Sequence, residues 1–171
     1  MRGCQFGPSI RVLLLWVTGS FRESRDRADD SDRGGPMSEN AELVRRLTQE
    51  GFGKGNLAVF DELLSEDFVS HDPPPGAPSN RDGMKAVAGM VGAAFDDIGF
   101  EFDEFIDAAD GRVTENWAMT AIHAHEAFGM PASGKSVRVR GIEIWRCAGG
   151  KIVEHWGSID MSDIAEKAMG A

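Results

Sequence analysis

The spacing of hydrophobic residues changes once along this chain. From Ser38 to about Phe95, apolar residues recur every three or four positions, as on the buried face of a helix. This spacing predicts three helices: one from Ser38 through SENAELVRRL, one over LAVFDELL, and one over GMKAVAGMVGAAF that Asn80 or Asp82 can cap. The segments between them are glycine-rich GFGKGN, the brief extended piece EDFVSHD and a proline-rich loop.

Beyond that point the apolar residues alternate with polar ones. Alternation predicts strands over IGFEFDEFI, RVTENWAMTAIHAHEAF, SVRVRGIEIWRC and KIVEHWGSI, joined by turns that each contain glycine. MSDIAEKAMGA is predicted as a short closing helix. Helices followed by a strand meander predict an α+β fold, with three N-terminal helices covering one face of an antiparallel sheet.

The first 36 residues differ from the rest. Their basic residues are all arginines, and Ser20 to Pro36 is polar and glycine-ended, which predicts disorder. The apolar run Val12 to Val17 is short for a signal peptide and far too short to span a bilayer. We expect residues 1–36 to be a non-native extension or a mobile tail, and residues 37–171 to form a single domain that begins at Met37.

Composition narrows the function classes. A net charge of −10 makes nucleic-acid binding unfavourable, because phosphate binding needs a basic face. Cys4 and Cys147 provide no disulfide framework, which favours a reducing, cytoplasmic setting, and the four histidines are too scattered to predict a metal site. The 27% charged content argues against a membrane protein.

Alternation also sorts side chains onto the two faces of the sheet. Glu143 falls on an apolar face between Gly141 and Trp145. A tight AGGK hairpin would pair Glu143 with His155 and Gly141 with Gly157. A symmetric GMPASGK loop would pair Glu143 with Ala121 and Gly141 with His123, so that His123 lies diagonally from Glu143, within about 7–8 Å. The two glycines in one cross-strand row would leave space beside His123, so the pattern predicts a pocket with apolar walls and a few polar groups.

Each candidate also has a structural interpretation. The Glu–His pair can be a satisfied polar pair at the core mouth or can face a partner subunit. His71 can anchor the proline-rich loop, and Asp160 can cap the last helix. The arginines Arg138, Arg140 and Arg146 fit a solvated or interface face, and the large apolar candidates fit a plain core: Phe95, Trp117, Met119 and Trp145.

Four segments resemble the SnoaL-like polyketide cyclases, also called ester cyclases: FDELLSEDFVSHDPPPG, AFDDI, HAHEAFGMPASGKSV and GIEIWRCAGGKIVEHWGSID. The resemblance covers roughly Ala41 to Asp160. It implies a nuclear transport factor 2-like fold, in which helices wrap a curved sheet into a cone around a deep hydrophobic cavity. It further implies ring closure by intramolecular aldol condensation, without metal or organic cofactor, with an aspartate as general acid and base.

That aspartate, which follows His-Trp in typical members, falls on Gly157 here, whereas the family's histidine and later aspartate are kept as His123 and Asp160. Glu143 is the substitute base in this interpretation, and His123 or His155 polarises the substrate carbonyl. In ketosteroid isomerase, a known example, a tyrosine donates a hydrogen bond to the oxyanion. This chain has no tyrosine, so that arrangement is excluded here.

The sequence therefore predicts cofactor-free ring closure or isomerisation of a small hydrophobic carbonyl compound. The alternative is a non-catalytic module of the same fold that binds a small molecule or dimerises. The resemblance also implies a homodimer. The predicted catalytic residues are His123, Glu143, His155 and Asp160. The predicted substrate-binding residues are His71, Phe95, Trp117, Met119, Trp145 and Gly157.

Overall fold

A computed structural model describes residues 37–126 and 129–169 as an α+β domain with a curved, open sheet, which confirms the predicted fold class. The elements in chain order are α1 Glu39–Arg46, the π-helical segment π1 Leu47–Gly53, α2 Ala58–Leu63, β1 Leu64–Ser70, α3 Arg81–Ala94, β2 Phe95–Asp107, β3 Arg112–His123, β4 Ser136–Ala148, β5 Lys151–Asp160 and α4 Ser162–Met169. Residues 1–36 lie outside the described range, so their predicted role stays a prediction.

The helices begin where the capping residues predict. Ser38 Oγ accepts a hydrogen bond from the Ala41 amide, and the Asn80 side chain accepts one from the Gly83 amide, each at 3.0 Å. The helical stretch ends at Gly53, within GFGKGN, but the helix count differs from three because the second half of this stretch is the π-helical segment π1. A Cβ on Gly51 would lie 2.6 Å from the Phe60 ring, so this glycine lets π1 pack closely on α2.

The five strands lie in the order β1-β5-β4-β3-β2. β2 to β5 form the predicted antiparallel meander. The first five residues of the extended piece EDFVSHD, Glu66 to Ser70, belong to β1, which pairs in parallel with β5 and places Ser70 beside His155. The expectation of a wholly antiparallel sheet is therefore wrong. A parallel pair needs a long crossover, which α3 and the meander supply here.

The predicted β4–β5 register is wrong by two residues. Glu143 lies opposite Gly157, and Trp145 lies opposite His155. The two-residue turn Gly149-Gly150 sets Ala148 against Lys151, and a bulge between Arg146 and Cys147 then adds one residue to β5. Because the shift is even, Glu143 and His155 stay on the predicted face.

The predicted β3–β4 register is wrong by six residues. Glu143 lies opposite Glu115 rather than Ala121, and Gly141 lies opposite Trp117 rather than His123. The assumed symmetric loop does not form, since β3 ends at His123 and the amides of Ala124 and His125 both donate to the Ala94 carbonyl. The chain turns away towards α3 before it returns as β4.

The inner face of the sheet carries the hydrophobic core. One cluster joins Val113 and Trp145 to helical residues such as Phe60, and a second joins Trp117 and Met119 to Ile164 of α4. The outer face of β4 carries the predicted arginines, two of which pair with acids of β2. Within the described part of the chain, no helix has the length and apolarity needed to cross a bilayer.

Candidate functional site

Glu115, Glu143 and Gly157 form one row across three strands on the inner face of the sheet. The register places Glu115 of β3 opposite Glu143 of β4, and Glu143 opposite Gly157 of β5. Directly opposed residues of antiparallel strands have Cβ atoms about 4.5–5.5 Å apart. The two carboxyl groups are therefore neighbours, and the glycine leaves open the third position of the row.

His155 lies beside Glu143 and contacts groups from two other strands, β1 and β4. Its Nε2 is 3.6 Å from Glu143 Oε1, and the two side chains are only 8% and 11% exposed. Its Nδ1 is 3.0 Å from Ser70 Oγ on β1. The Trp145 ring packs on the imidazole with the ring centroids 4.2 Å apart, so the orientation of His155 is fixed on both sides.

The absence of a side chain at position 157 makes this pairing possible. A Cβ on Gly157 would lie 2.9 Å from His155 Nε2 and 3.3 Å from Glu143 Cγ. Both distances are shorter than ordinary van der Waals contact, so any larger residue would displace the imidazole or the carboxylate. Gly157 thus accommodates the acid and the imidazole that its neighbours supply.

Glu115 is a fully buried carboxyl that the sequence interpretation did not identify as a site residue. Thr48 Oγ1 and Trp145 Nε1 donate to its Oε1 at 3.1 and 2.9 Å. Burial, together with the charge of Glu143, raises the pKa of Glu115 well above its ordinary value of 4.5. Alternation had placed Glu115 on the correct face, but only the true β3–β4 register shows that it meets Glu143.

A cavity of about 380 Å³ reaches the Glu143–His155 pair. Its walls are largely apolar and come from π1, α3, α4, the proline-rich loop and the sheet. Of the predicted substrate-binding residues, three line the cavity: Trp117, Met119 and Gly157. Trp117 lies flat enough on β4 that a Cβ on Gly141 would be 2.4 Å from its ring, so Gly141 provides space for the indole.

His123 does not join this site. It lies eight residues along β3 from Glu115, or about 27 Å at the usual rise of a strand. Its ring is fully buried against Phe95, with the centroids 5.3 Å apart, and neither ring nitrogen has a hydrogen-bond partner among the described residues. The predicted diagonal contact between His123 and Glu143 is wrong, because it depended on the symmetric loop.

The remaining predicted residues also lie outside the cavity lining. His71 stacks on Trp156 with the ring centroids 4.4 Å apart. Asp160 is exposed and accepts a hydrogen bond from the Ser162 amide at 2.9 Å, at the start of α4. That hydrogen bond lowers the pKa of Asp160. Phe95 packs against His123, and Trp145 contributes its indole N–H to Glu115.

No cluster of three or more potential metal-ligating side chains occurs within residues 37–126 and 129–169. Glu143 and His155 are two neighbouring titratable side chains in the lining of the cavity. In apolar surroundings, a carboxylate can take up a proton from a bound molecule, and the N–H of an imidazole beside it can donate a hydrogen bond to that molecule.

The sequence of this chain was compared with protein families and with curated proteins. Residues 42–167 match the sequence profile of the SnoaL-like polyketide cyclase family. A search of curated proteins finds no match to the chain.

Several solved structures share the fold. IdmH from Streptomyces antibioticus, provisionally described as a polyketide cyclase, is 26% identical with a TM-score of 0.66, over 78% of this chain and 100% of IdmH. TsrD from Streptomyces laurentii is 18% identical with a TM-score of 0.69, over 81% of this chain and 99% of TsrD. A provisionally named SnoaL-like polyketide cyclase from Jannaschia sp. CCS1 is 22% identical with a TM-score of 0.69, over 81% of this chain and 99% of that one. The last two show the fold alone.

Proposed function

Because this chain belongs to the SnoaL-like polyketide cyclase family, we propose that it catalyses cofactor-free ring closure or isomerisation of a small hydrophobic carbonyl compound. One observation carries the proposal. The Glu143 carboxylate and the His155 imidazole lie 3.6 Å apart at the wall of a largely apolar cavity.

Glu143 acts as the base in this proposal. Its carboxylate takes a proton from the carbon next to the substrate carbonyl, and the C–H electron pair moves into an enolate. The carboxylate is only 11% exposed and lies among apolar walls, where few water molecules compete for the substrate proton. General acid–base catalysis of this kind contributes roughly 10²–10⁴-fold to a rate.

His155 donates to the enolate oxygen. Its Nε2 is buried and has no hydrogen-bond partner among the described residues, and His155 is one of the residues that line the cavity. When Ser70 Oγ donates to Nδ1, the imidazole proton resides on Nε2, where it is available to a substrate oxygen. A fixed donor in a buried site stabilises developing negative charge without reorganisation during the reaction.

Gly157 stands at the position where the family resemblance implies a catalytic aspartate. Glu143 lies directly opposite Gly157, so its carboxylate enters the row from the neighbouring strand. The proposal is that the carboxylate has moved from β5 to β4 while the apolar cavity is retained. Trp117 and Met119 then contact the hydrophobic part of the substrate.

Exchange of substrate protons for deuterium tests the proposal directly, because proton abstraction precedes both ring closure and isomerisation. A panel of apolar aromatic ketones such as 2-tetralone is incubated with the protein in D₂O and followed by proton NMR. We expect the protein to accelerate exchange next to the carbonyl, and Glu143→Gln to lose roughly 10²–10⁴-fold of that acceleration.

The matched control is Glu101→Gln, which removes an exposed carboxylate that pairs with Arg138. This variant should exchange at the rate of the unaltered protein. Unchanged exchange in Glu143→Gln would show that Glu143 is not the base.

The alternative function is a non-catalytic module that binds a small hydrophobic molecule or dimerises. The observation in its favour is Gly157, since the implied catalytic aspartate is absent from the position. Ketone binding by titration calorimetry without any accelerated exchange would favour this alternative over the catalytic proposal.

We also propose a cytoplasmic homodimer that does not bind nucleic acid. The outer face of β4 exposes Ile142 and Ile144, 56% and 38% exposed, among arginines, which suits contact with a second copy. The net charge of −10 disfavours nucleic acid. Sedimentation equilibrium of the protein and of Ile142→Glu measures the oligomeric state, and a monomer at all concentrations would contradict the homodimer.

A further inference from the structure

We propose that Glu115 is a positioning residue which, as a neutral carboxylic acid, donates a hydrogen bond to the Glu143 carboxylate and so keeps Glu143 ionised as the base. The inference rests on the proposed function of Glu143. It concerns a residue behind the cavity wall, since Glu115 does not line the cavity and lies one strand further from the substrate.

The register brings the two carboxyl groups together. Glu115 and Glu143 are directly opposed on β3 and β4, with their side chains on the same face. Glu115 is fully buried, whereas Glu143 is at the cavity and beside His155. Glu115 is thus the deeper residue of the pair, and Glu143 is the residue that can contact a ligand.

The hydrogen bonds around Glu115 determine which of its oxygens can hold a proton. Thr48 Oγ1 at 3.1 Å and Trp145 Nε1 at 2.9 Å both donate to Oε1. Oε2 has only a long contact of 3.4 Å to the Thr48 hydroxyl. A protonated carboxyl has one O–H donor and keeps its remaining acceptor sites. Oε1 is therefore the acceptor oxygen, and Oε2 is free to donate to Glu143.

Charge repulsion requires the pair to share a proton. Two ionised carboxylates in a buried site repel each other strongly, so one of them stays neutral. The groups facing Glu115 are Thr48 from π1, Phe105 from β2, and Trp145 and Glu143 from β4, with His155 of β5 beyond Glu143. No cationic side chain among these faces Glu115, whereas the imidazole of His155 lies beside Glu143, with Nε2 3.6 Å from Oε1. The proton therefore belongs on Glu115.

A neutral donor favours the charged form of the carboxylate that accepts from it. Glu115 thus holds Glu143 in the ionised form that a base requires. A variant that lacks this donor should therefore differ from one that keeps it. The difference is measurable as the pH at which Glu143 ionises, and a residue that only supports the fold would not move that pH.

The experiment is a carbon-13 NMR titration of the substrate-free protein with glutamate labelled at the side-chain carboxyl. Glu115→Gln keeps a donor, because its amide can replace the O–H, whereas Glu115→Leu removes the donor at similar volume. We expect Glu143 to ionise at nearly the same pH in the unaltered protein and in Glu115→Gln, and about one to two pH units higher in Glu115→Leu. The Glu115 resonance itself should remain that of a neutral acid at pH 7.

A Glu115 resonance that is already ionised at pH 7 would overturn the inference, and so would a Glu143 midpoint that is the same in Glu115→Leu. If Glu115→Leu does not fold, the unaltered protein and Glu115→Gln still decide the first point. The acid limb of the ketone exchange rate should move with the Glu143 midpoint. Because the titration needs no substrate, the hydrogen bond is tested even if the exchange assay contradicts Glu143 as the base.

Discussion

Gly157 stands directly across from Glu143, in the space where a Cβ would lie 2.9 Å from His155 Nε2 and 3.3 Å from Glu143 Cγ. A family comparison alone would treat the glycine as the loss of a catalytic aspartate. The structure shows that the glycine also has a steric role, since the imidazole and the opposite carboxylate occupy the space that a side chain would need. Restoring a side chain at this position therefore carries a cost for the pair.

We expect Gly157→Ala to push the His155 ring away from Glu143 and to lower ketone exchange by about 10²-fold, because a displacement of about 1 Å at a catalytic group has an effect of this size. The measurement is the exchange rate together with the nitrogen-15 spectrum of the histidines. Gly89→Ala is the control, since a Cβ at Gly89 meets nothing within 4 Å. Full exchange in Gly157→Ala would contradict the steric role of the glycine.

For individual residues, the sequence predicts the side of the sheet on which a side chain lies. It does not predict which residue of the neighbouring strand lies opposite. Alternation placed Glu143, His155 and Gly157 on one side of the sheet, where they are found. Glu115 was on the correct face as well, yet its contact with Glu143 depends on where the connection between two strands begins. A period of two defines a side but leaves even shifts of register undetermined.

At the scale of elements, the connections explain both register errors. The bulge between Arg146 and Cys147 adds one residue to β5, and the residues of the turn do not predict it. The segment after His123 binds the Ala94 carbonyl at the end of α3 instead of extending the hairpin, and this is a tertiary contact. His123 consequently lies in the second core cluster with Phe95, which removes the second imidazole that the sequence placed at the site.

The π-helical segment π1 supplies a group that the site requires. A π-helical turn is uncommon and is frequently found at functional sites. Here π1 carries Thr48, whose hydroxyl donates to Glu115, and Phe52, which lines the cavity. The glycine-rich segment GFGKGN indicates where this helical stretch ends, but nothing in it indicates the change from α-helical to π-helical geometry.

We expect Thr48→Val to lower the free energy of unfolding by about 1–3 kcal/mol, because the buried oxygen of Glu115 loses one of its two close donors while the shape of the side chain is kept. Urea denaturation measures the change. Thr114→Val is the matched control, on the opposite face of β3 and only half-buried. Equal stability of the two variants would show that the hydroxyl of Thr48 contributes nothing to the buried pair.

For the whole molecule, the pH dependence of stability contains two opposing contributions. Exposed acids such as Glu62 and Asp61 have their pKa lowered by hydrogen bonds to Arg46 and Lys85, so their contribution is present above their ordinary pKa and is lost as the pH falls. Glu115 has its pKa raised by burial and by Glu143. Its contribution is complete below its ordinary pKa of 4.5 and is lost as the pH rises towards the folded value.

The glutamine in Glu115→Gln cannot ionise, so this variant should not lose the stability that the unaltered protein loses as the pH rises. We expect the stability of the variant relative to the unaltered protein to increase by about 1.4 kcal/mol for each pH unit above the unfolded pKa of Glu115, until the folded pKa is reached. Urea denaturation between pH 4 and pH 9 gives the comparison. A stability difference that is independent of pH would mean that Glu115 ionises alike in the folded and unfolded chains.

The parallel pairing of β1 with β5 has a consequence for how the protein is made. β1 has only β5 as a neighbour in the sheet, and the Ser70–His155 contact joins residues 85 positions apart. On the ribosome, where a chain grows at about 5–20 residues per second, β1 emerges seconds before its only partner exists. The imidazole beside Glu143 is thus oriented in the last stage of assembly, and a nascent chain stalled before β5 would have α1 to α3 and most of the meander but not the Glu143–His155 pair.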